Sequence, residues 1–288
     1  MQILTDRGMD LAPEQMQGLN LRFAPLRIIL EGKTYSSGVD LQPDAFYKML
    51  SETDSFPTTS QPSAGEFEEI YREMAKTDAD ILSIHVSSGL SGTYNAAVQG
   101  AKMVPEANIT IFDSKTLSVP LGWQVEAAGK AIQAGWPLER ILEMLHELQS
   151  KIEGLYTLQH LNYLIHGGRI SHLKGLVASM LNIKPVIGVD HNSGKYVTHA
   201  QEITLKRAIS KMGDVIASIF PGERSMRVQL LHGQNPEAVE ILRKHLEQHF
   251  ECHWQPTVPV APVLGAHTGP SLVGLAVAPV KMFKNVPA

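Results

Sequence analysis

Two short apolar runs in the first half of the chain set the frame for everything else. Ile81–Val86 ends in Ser87-Ser88-Gly89, Ile109–Phe112 ends in Asp113-Ser114, and each leads into a segment with helical spacing of apolar residues. Strand–helix alternation of this kind predicts a parallel sheet with helices on its faces. Gln2–Leu4 is a third strand, ending in Thr5-Asp6. Ser63 and Glu66 have the spacing of a capping box, which opens a helix running to about Ala75. Gly135-Trp136-Pro137 separates helices over 118–134 and 138–151. In the second of these, Leu138, Ile141, Leu142, Leu145 and Leu148 form one apolar stripe, read as a core face.

The second half has a different texture. Leu155–Thr157 is strand-like, and Leu158–Ile165 reads as a helix that stops at Gly167-Gly168. A further apolar segment runs from Leu173 to Leu181. Pro185–Val189 and Tyr196–His199 flank Asn192-Ser193-Gly194, the signature of a hairpin turn. Helix over Thr204–Ile219, strand over Met226–Leu231 and helix over Pro236–His249 follow, and Val258–Val280 is rich in Pro and Gly with strand-forming runs. The expectation is an α/β protein of two domains. Residues 1–154 make a Rossmann-like parallel-sheet domain, and residues 155–288 a mixed-sheet α+β domain.

Composition narrows the function. Hydrophobic residues make up 43% of the 288 residues and charged residues 19%, enough apolar material for a large core. A net charge of −4 gives no footprint for nucleic acid. The single cysteine, Cys252, excludes an internal disulfide framework. The first ten residues already carry Asp6, Arg7 and Asp10, unlike an export signal, and no apolar run reaches the ~20 residues of a membrane span. A cytoplasmic protein with no integral membrane segment is expected.

Ligands of open parallel sheets bind beyond the carboxyl ends of the strands. Thr5-Asp6, Ser87–Thr93 and Asp113-Ser114 all fall there. Within Ser87–Thr93, Ser91 stands at the start of a helix, where free N–H groups favour an anion. Helix cap and ligand contact both satisfy the pattern. In Thr58–Ser63, Ser63 accounts for capping and leaves Thr59 and Ser60 unexplained. Gly265-Ala266-His267-Thr268-Gly269-Pro270 places a lone histidine among glycines, either a buried core residue or a ligand group. Arg169, beside Gly167-Gly168, is either an exposed loop residue or a contact for an anion or partner.

Other chemistries fare poorly. Gly89-Leu90-Ser91-Gly92-Thr93 lacks the last glycine of a nucleophile elbow, and neither phosphate-loop nor dinucleotide glycine motifs occur. His245, His249 and Cys252-His253 suggest a metal cluster, but the first two histidines lie on a polar helix beside Glu247 and Glu251, and no second ligand set has matching spacing. No metal and no cofactor is expected, and Cys252, without a local nucleophile signature, reads as structural or incidental.

Taken together the motifs resemble the DegV family of bacterial fatty-acid-binding proteins. The match runs nearly end to end through Thr5-Asp6 with Asp10-Leu11, Thr59–Ser63, Ser87–Thr93, Asp113-Ser114-Lys115, Gly167–Ser171, Leu181–Pro185 and Gly265–Pro270. The resemblance implies two α/β domains with a long-chain fatty acid between them. It implies a monomeric carrier rather than an enzyme, presenting the carboxylate to a fatty-acid kinase that makes acyl-phosphate for phospholipid synthesis. Carried over by motif, Thr59, Ser91 and His267 would hold the carboxylate and Arg169 would lie near the head group, with Ser60 and Thr268 from the same motifs as further ligand-binding candidates. The Leu158–Leu181 region, Phe23, Ile28 and Leu30 are candidates for the tunnel or for ordinary core. One position departs from the family. Several members carry Arg before the Thr that opens the helix near 204, and use it in kinase docking; here Ile203 stands there, followed by Thr204, Leu205, Lys206 and Arg207. Two other readings remain open: an enzyme acting on a small phosphorylated or carboxylated metabolite, suggested by a distant likeness to dihydroxyacetone kinase folds, and a lipid sensor.

Overall fold

The computed structural model describes residues 1–173 and 182–287. In chain order its strands are β1 (Gln2–Asp6), β2 (Leu21–Ala24), β3 (Arg27–Leu30), β4 (Lys33–Ser36), β5 (Thr58–Ser60), β6 (Asp80–His85), β7 (Asn108–Asp113), β8 (Glu153–Thr157), β9 (Lys184–Val189), β10 (Tyr196–Glu202), β11 (Ser225–His232), β12 (Glu251–Trp254), β13 (Val258–Pro259) and β14 (Val273–Pro279). The helices are α1 (Pro13–Met16), α2 (Pro43–Ser51), α3 (Ala64–Ala75), α4 (Thr93–Lys102), α5 (Ser118–Gln133), α6 (Leu138–Gln149), α7 (Asn162–His166), α8 (Leu205–Ile219), α9 (Pro236–Leu246) and α10 (Pro262–Thr268).

The first sheet has the order β2-β1-β6-β7 and is parallel throughout. That is the architecture required by the strand–helix alternation. The second sheet runs β10-β9-β8-β14-β11-β12. It is antiparallel except where β12 and β13 lie parallel to β11, so it is mixed. A small antiparallel sheet, β4-β3-β5, stands apart from both.

Helix α5 lies between the two larger sheets. Every residue from Ser118 to Gly129 is buried, which is why its sequence lacks a polar stripe. Trp123 and Leu121 share one core with Leu82 and Ile84 of the first sheet and Leu231 and Ala276 of the second. The polar groups carried into this layer are paired. Trp123 Nε1 donates to Gln229 Oε1 at 2.7 Å, and Glu126 accepts from Arg227 at 2.7 Å. The capping box at Ser63 forms as expected and α3 ends at Ala75.

Several expected elements differ. Helix α7 covers only Asn162–His166, because Leu158 and Leu161 turn inward into a small cluster with Leu164 and Ile187. Helix α9 stops at Leu246, short of His249. Pro262–Thr268 is helical, not strand: Pro262 sits in the first turn, where its missing N–H costs nothing. Helix α2 and the β3–β5 sheet carry no alternation strong enough to read from sequence. Most of the apolar segment Leu173–Leu181 lies outside the described residues. No helix among the described residues is long and apolar enough to cross a membrane.

Candidate functional site

Two adjoining cavities occupy the space beyond the carboxyl ends of β1 and β6. The polar one has a volume of about 260 Å³ and is lined by Thr59, Ser60, Gln61, Ser91, Arg169 and His267, with Gly8, Leu90 and others completing its wall. The apolar one is narrow, with about 20 Å³ free, and is walled by residues such as Tyr156, Leu158, Leu164, Leu231 and Leu272. Leu117, Tyr196 and Leu264 line both, so the two adjoin along these side chains.

Each polar group reaches the cavity from a different element. Thr59 comes from the middle of β5, held by pairing with Ile28. His267 comes from the last turn of α10. Thr59 Oγ1 and His267 Nε2 are 2.7 Å apart, although 208 residues separate them in the chain. Burial, and then the charge of Arg169, push the His267 pKa down to about 4. Its Nδ1 is buried, and among the described residues no partner reaches it. A Cβ at Gly167 would run into that nitrogen, so glycine is required for the close approach. Arg169 opens the 3-10 turn after α7, and its Nη1 donates to Gly167 O at 2.7 Å.

Ser91 precedes α4 but is not its N-cap. Gly92 holds that position without a side-chain bond. Ser91 Oγ accepts from Thr93 N–H at 3.2 Å and lies 2.8 Å from Thr93 Oγ1. A Cβ at Gly92 would overlap the Gln61 amide, so the glycine lets Gln61 stand against the start of α4.

The other motif residues hold this arrangement without lining it. Asp6 accepts from Gly8 N–H at 2.8 Å and Val86 N–H at 2.9 Å, and lies 3.0 Å from His85 Nδ1. His85 Nε2 continues to Ser83 Oγ at 2.7 Å and on to Tyr71 OH. This Asp–His–Ser order has the look of a nucleophile relay, but all of its members are fully buried and line neither cavity. It is scaffolding for the loop. Asp113 accepts from Ser88 N–H at 3.1 Å, and Ser87 Oγ donates to Gly194 O at 2.7 Å, tying the loop to the β9–β10 turn.

Among the candidates, Thr59, Ser60, Ser91, Arg169 and His267 come together at the polar cavity. Thr268 does not: it lines the apolar cavity, and its hydroxyl donates to Leu264 O at 3.1 Å within α10. Leu158 and Leu164 do wall the apolar cavity. Ile28 and Leu30 instead pack into a separate core with Phe46 and Leu50, and Phe23 lies under the Arg7 guanidinium beside another cavity. Gln61 and Tyr196 were not singled out from sequence. Gln61 is masked by its capping motif, and Tyr196 looks like any strand-opening aromatic. His245 and His249 are brought together, but Cys252 turns away, its Sγ bonded to Phe250 O, and burial pushes its thiol up to about 11.

These features define an α/β protein with a polar pocket beside a narrow apolar recess. The sequence model of the DegV family, described as "uncharacterised protein, DegV family", matches residues 1–280. A DegV domain-containing protein of Staphylococcus aureus (strain N315) is 35% identical over 275 residues, covering 96% of this chain and 97% of the relative. The chain belongs to the DegV family. Among solved structures it is similar to a fatty-acid-binding DegV family protein from Thermus thermophilus, with a TM-score of 0.87, 27% identity, and coverage of 97% of this chain and 99% of that one. It is also similar to DegV, a fatty-acid-binding protein from Bacillus subtilis, with a TM-score of 0.84, 27% identity, and coverage of 96% and 98%.

Proposed function

We propose that this chain is a carrier that binds a long-chain fatty acid, with the carboxylate in the polar cavity and the acyl chain in the apolar recess. The observation that carries the reading is that the polar and apolar cavities adjoin, sharing Leu117, Tyr196 and Leu264 as lining. An amphipathic ligand with one anionic end fits such a pair. Most of the affinity comes from the chain, at ~0.8 kcal/mol per buried methylene. Because the recess is narrow, the entering chain must displace the side chains that wall it, and their packing selects its length.

The head group is held without a buried cation clamp. His267, with a pKa near 4, is neutral at pH 7. We assign its one ring proton to Nε2, which leaves a lone pair and not an N–H at the buried, unpartnered Nδ1. Nε2–H then donates to Thr59 Oγ1, and the Thr59 hydroxyl proton is left to donate to the carboxylate. Ser91 and the free N–H groups at the start of α4 supply further donors. Arg169 at the cavity wall adds a long-range attraction. This grip holds a carboxylate while leaving it chemically accessible.

Presentation to a fatty-acid kinase and a monomeric state follow from the family resemblance, while a cytoplasmic setting and the division at 154/155 follow from composition and from the change of pattern along the sequence. Ile203 is 67% exposed just before the α8 cap at Thr204. A kinase docking there would meet an apolar side chain flanked by Lys206 and Arg207.

The test is to purify the protein, extract it with organic solvent and identify bound lipid by mass spectrometry, then repeat with Thr59→Val, Ser91→Ala and His267→Ala. Near-stoichiometric fatty acid is expected in the parent chain. Thr59→Val and Ser91→Ala should each bind ~10- to 100-fold more weakly, the value of one hydrogen bond to a charged group, and His267→Ala should also weaken binding, by removing the partner that orients the Thr59 hydroxyl. An empty extract with no uptake of added oleate would refute the carrier reading. Unchanged affinity in all three variants would refute the head-group assignment.

A further inference from the structure

A cluster of ligating side chains lies well away from both cavities, on the helices that cover the second sheet. Asp214 comes from α8, His245 from α9, and His249 from the turn after α9. One ligating atom from each lies within 4.8 Å of the others. Asp214 Oδ1 is 3.3 Å from His245 Nε2 and 3.6 Å from His249 Nε2. Ligand atoms held ~2.1 Å from a tetrahedral ion sit ~3.4 Å apart, so these two edges already have the right length. The third edge, between the two histidines, is within 4.8 Å, and their rings are 5.1 Å apart between centroids.

Two details show that the helices are shaped for this approach. Gly213 precedes Asp214, and a Cβ there would come within 2.5 Å of His245 Cδ2; glycine lets the His245 ring lie against α8. The carboxylate is also divided in its duties. Oδ1 faces both histidines, while Oδ2 is 3.5 Å from Lys211 Nζ. Lys211 thereby orients the carboxylate from outside, as second-sphere groups do at metal sites. All three side chains are partly exposed, so an ion can enter from solvent.

We propose that Asp214, His245 and His249 bind a divalent ion of the zinc class, cross-linking α8 to the end of α9. Two imidazole nitrogens and one carboxylate suit zinc and its late first-row neighbours, whereas calcium and magnesium require an oxygen set. Water completes the coordination. The sequence drew attention to the histidines with Cys252; the fold replaces the thiol with an aspartate from another helix. Neither cavity includes any of the three residues, so the site stands or falls independently of the lipid reading.

The experiment uses the full chain without an affinity tag, stripped with chelator and titrated with zinc chloride against a chromogenic competitor, with calcium chloride as control. Thermal unfolding is followed in parallel. One zinc per chain is expected, with a raised Tm and no response to calcium. Asp214→Asn, His245→Gln and His249→Gln should each weaken zinc by at least ~10-fold and abolish the rise in Tm. Circular dichroism checks that these exposed substitutions leave the fold intact. Zinc affinity unchanged in Asp214→Asn, or no stoichiometric binding in the parent chain, would overturn the proposal.

Discussion

Asp10 joins the first sheet's loop to the helix that carries His267, and it does so from a place where a charge is costly. It is 5% exposed. Its Oδ2 accepts from Ser118 Oγ at 2.5 Å and its Oδ1 from Ala261 N–H, one residue before α10, at 2.8 Å. Burial raises its pKa from 3.8 to about 7, against the pull of those two bonds. The shift of about three units corresponds to ~4 kcal/mol as an upper bound. The folded chain therefore holds a proton that the unfolded chain has lost between about pH 4 and 7. Stability falls as pH rises through that window, and the loss is complete above pH 7. His267 acts with the opposite sign: its folded pKa is lowered from 6.5 to about 4, so its contribution is lost as pH falls through that range. The two slopes overlap and partly cancel in the parent chain. Asp10→Asn keeps the shape and an acceptor for Ala261 N–H while removing one slope. Urea unfolding of both proteins at pH 4.5, 6 and 8 should show the variant gaining ~2–4 kcal/mol on the parent between the lowest and highest pH. A difference that stays constant with pH would refute the reasoning.

Other consequences are as direct. Gly89→Ala would place a Cβ 2.6 Å from the backbone oxygens of Ser193 and Gly194, wedging the ligand loop away from the β9–β10 turn. Neither backbone can easily yield, so a loss of ~1–3 kcal/mol in chemical denaturation is expected. Leu164→Trp should fill the narrow recess and shift the bound fatty acid toward shorter chains, read by mass spectrometry of the extracted lipid.

Three strands of the parallel sheet, β1, β6 and β7, were legible because they end in hydroxyl or acidic residues, and β6 and β7 lead into helical periods; the edge strand β2, Leu21–Ala24, carries no such mark. Ser63 with Glu66 marked a helix start correctly because a capping box is a local interaction. The β9–β10 hairpin was legible for the same reason. What could not be read depends on distant partners. Pro262 and Gly269 bracket residues 262–268 as a helix start and stop, but seven residues are too few for a periodic stripe, and the buried face of Val263 and Ala266 is apparent only against Phe46 and Leu50. Ile28 looks like a lipid contact until α2 is seen to cover it. Ser91 looked like an N-cap, and its hydroxyl is indeed bonded at the helix start, but the turn lies one residue later. The residues of the polar cavity were recognisable through motifs, whereas Tyr196 and Leu264, which join it to the apolar recess, carry no local mark.

The hydrogen bond between Thr59 and His267 closes a loop of more than two hundred residues. Its two ends arrive on different occasions during synthesis. The β5 side is made early and can pair within its small sheet, but the pocket has no far wall until α10 has been translated and docked. Contacts of such separation form late and slowly, because the chain must give up the most freedom before gaining them. A growing chain therefore has no complete polar cavity, and a ligand held between Thr59 and His267 would report that α10 has docked.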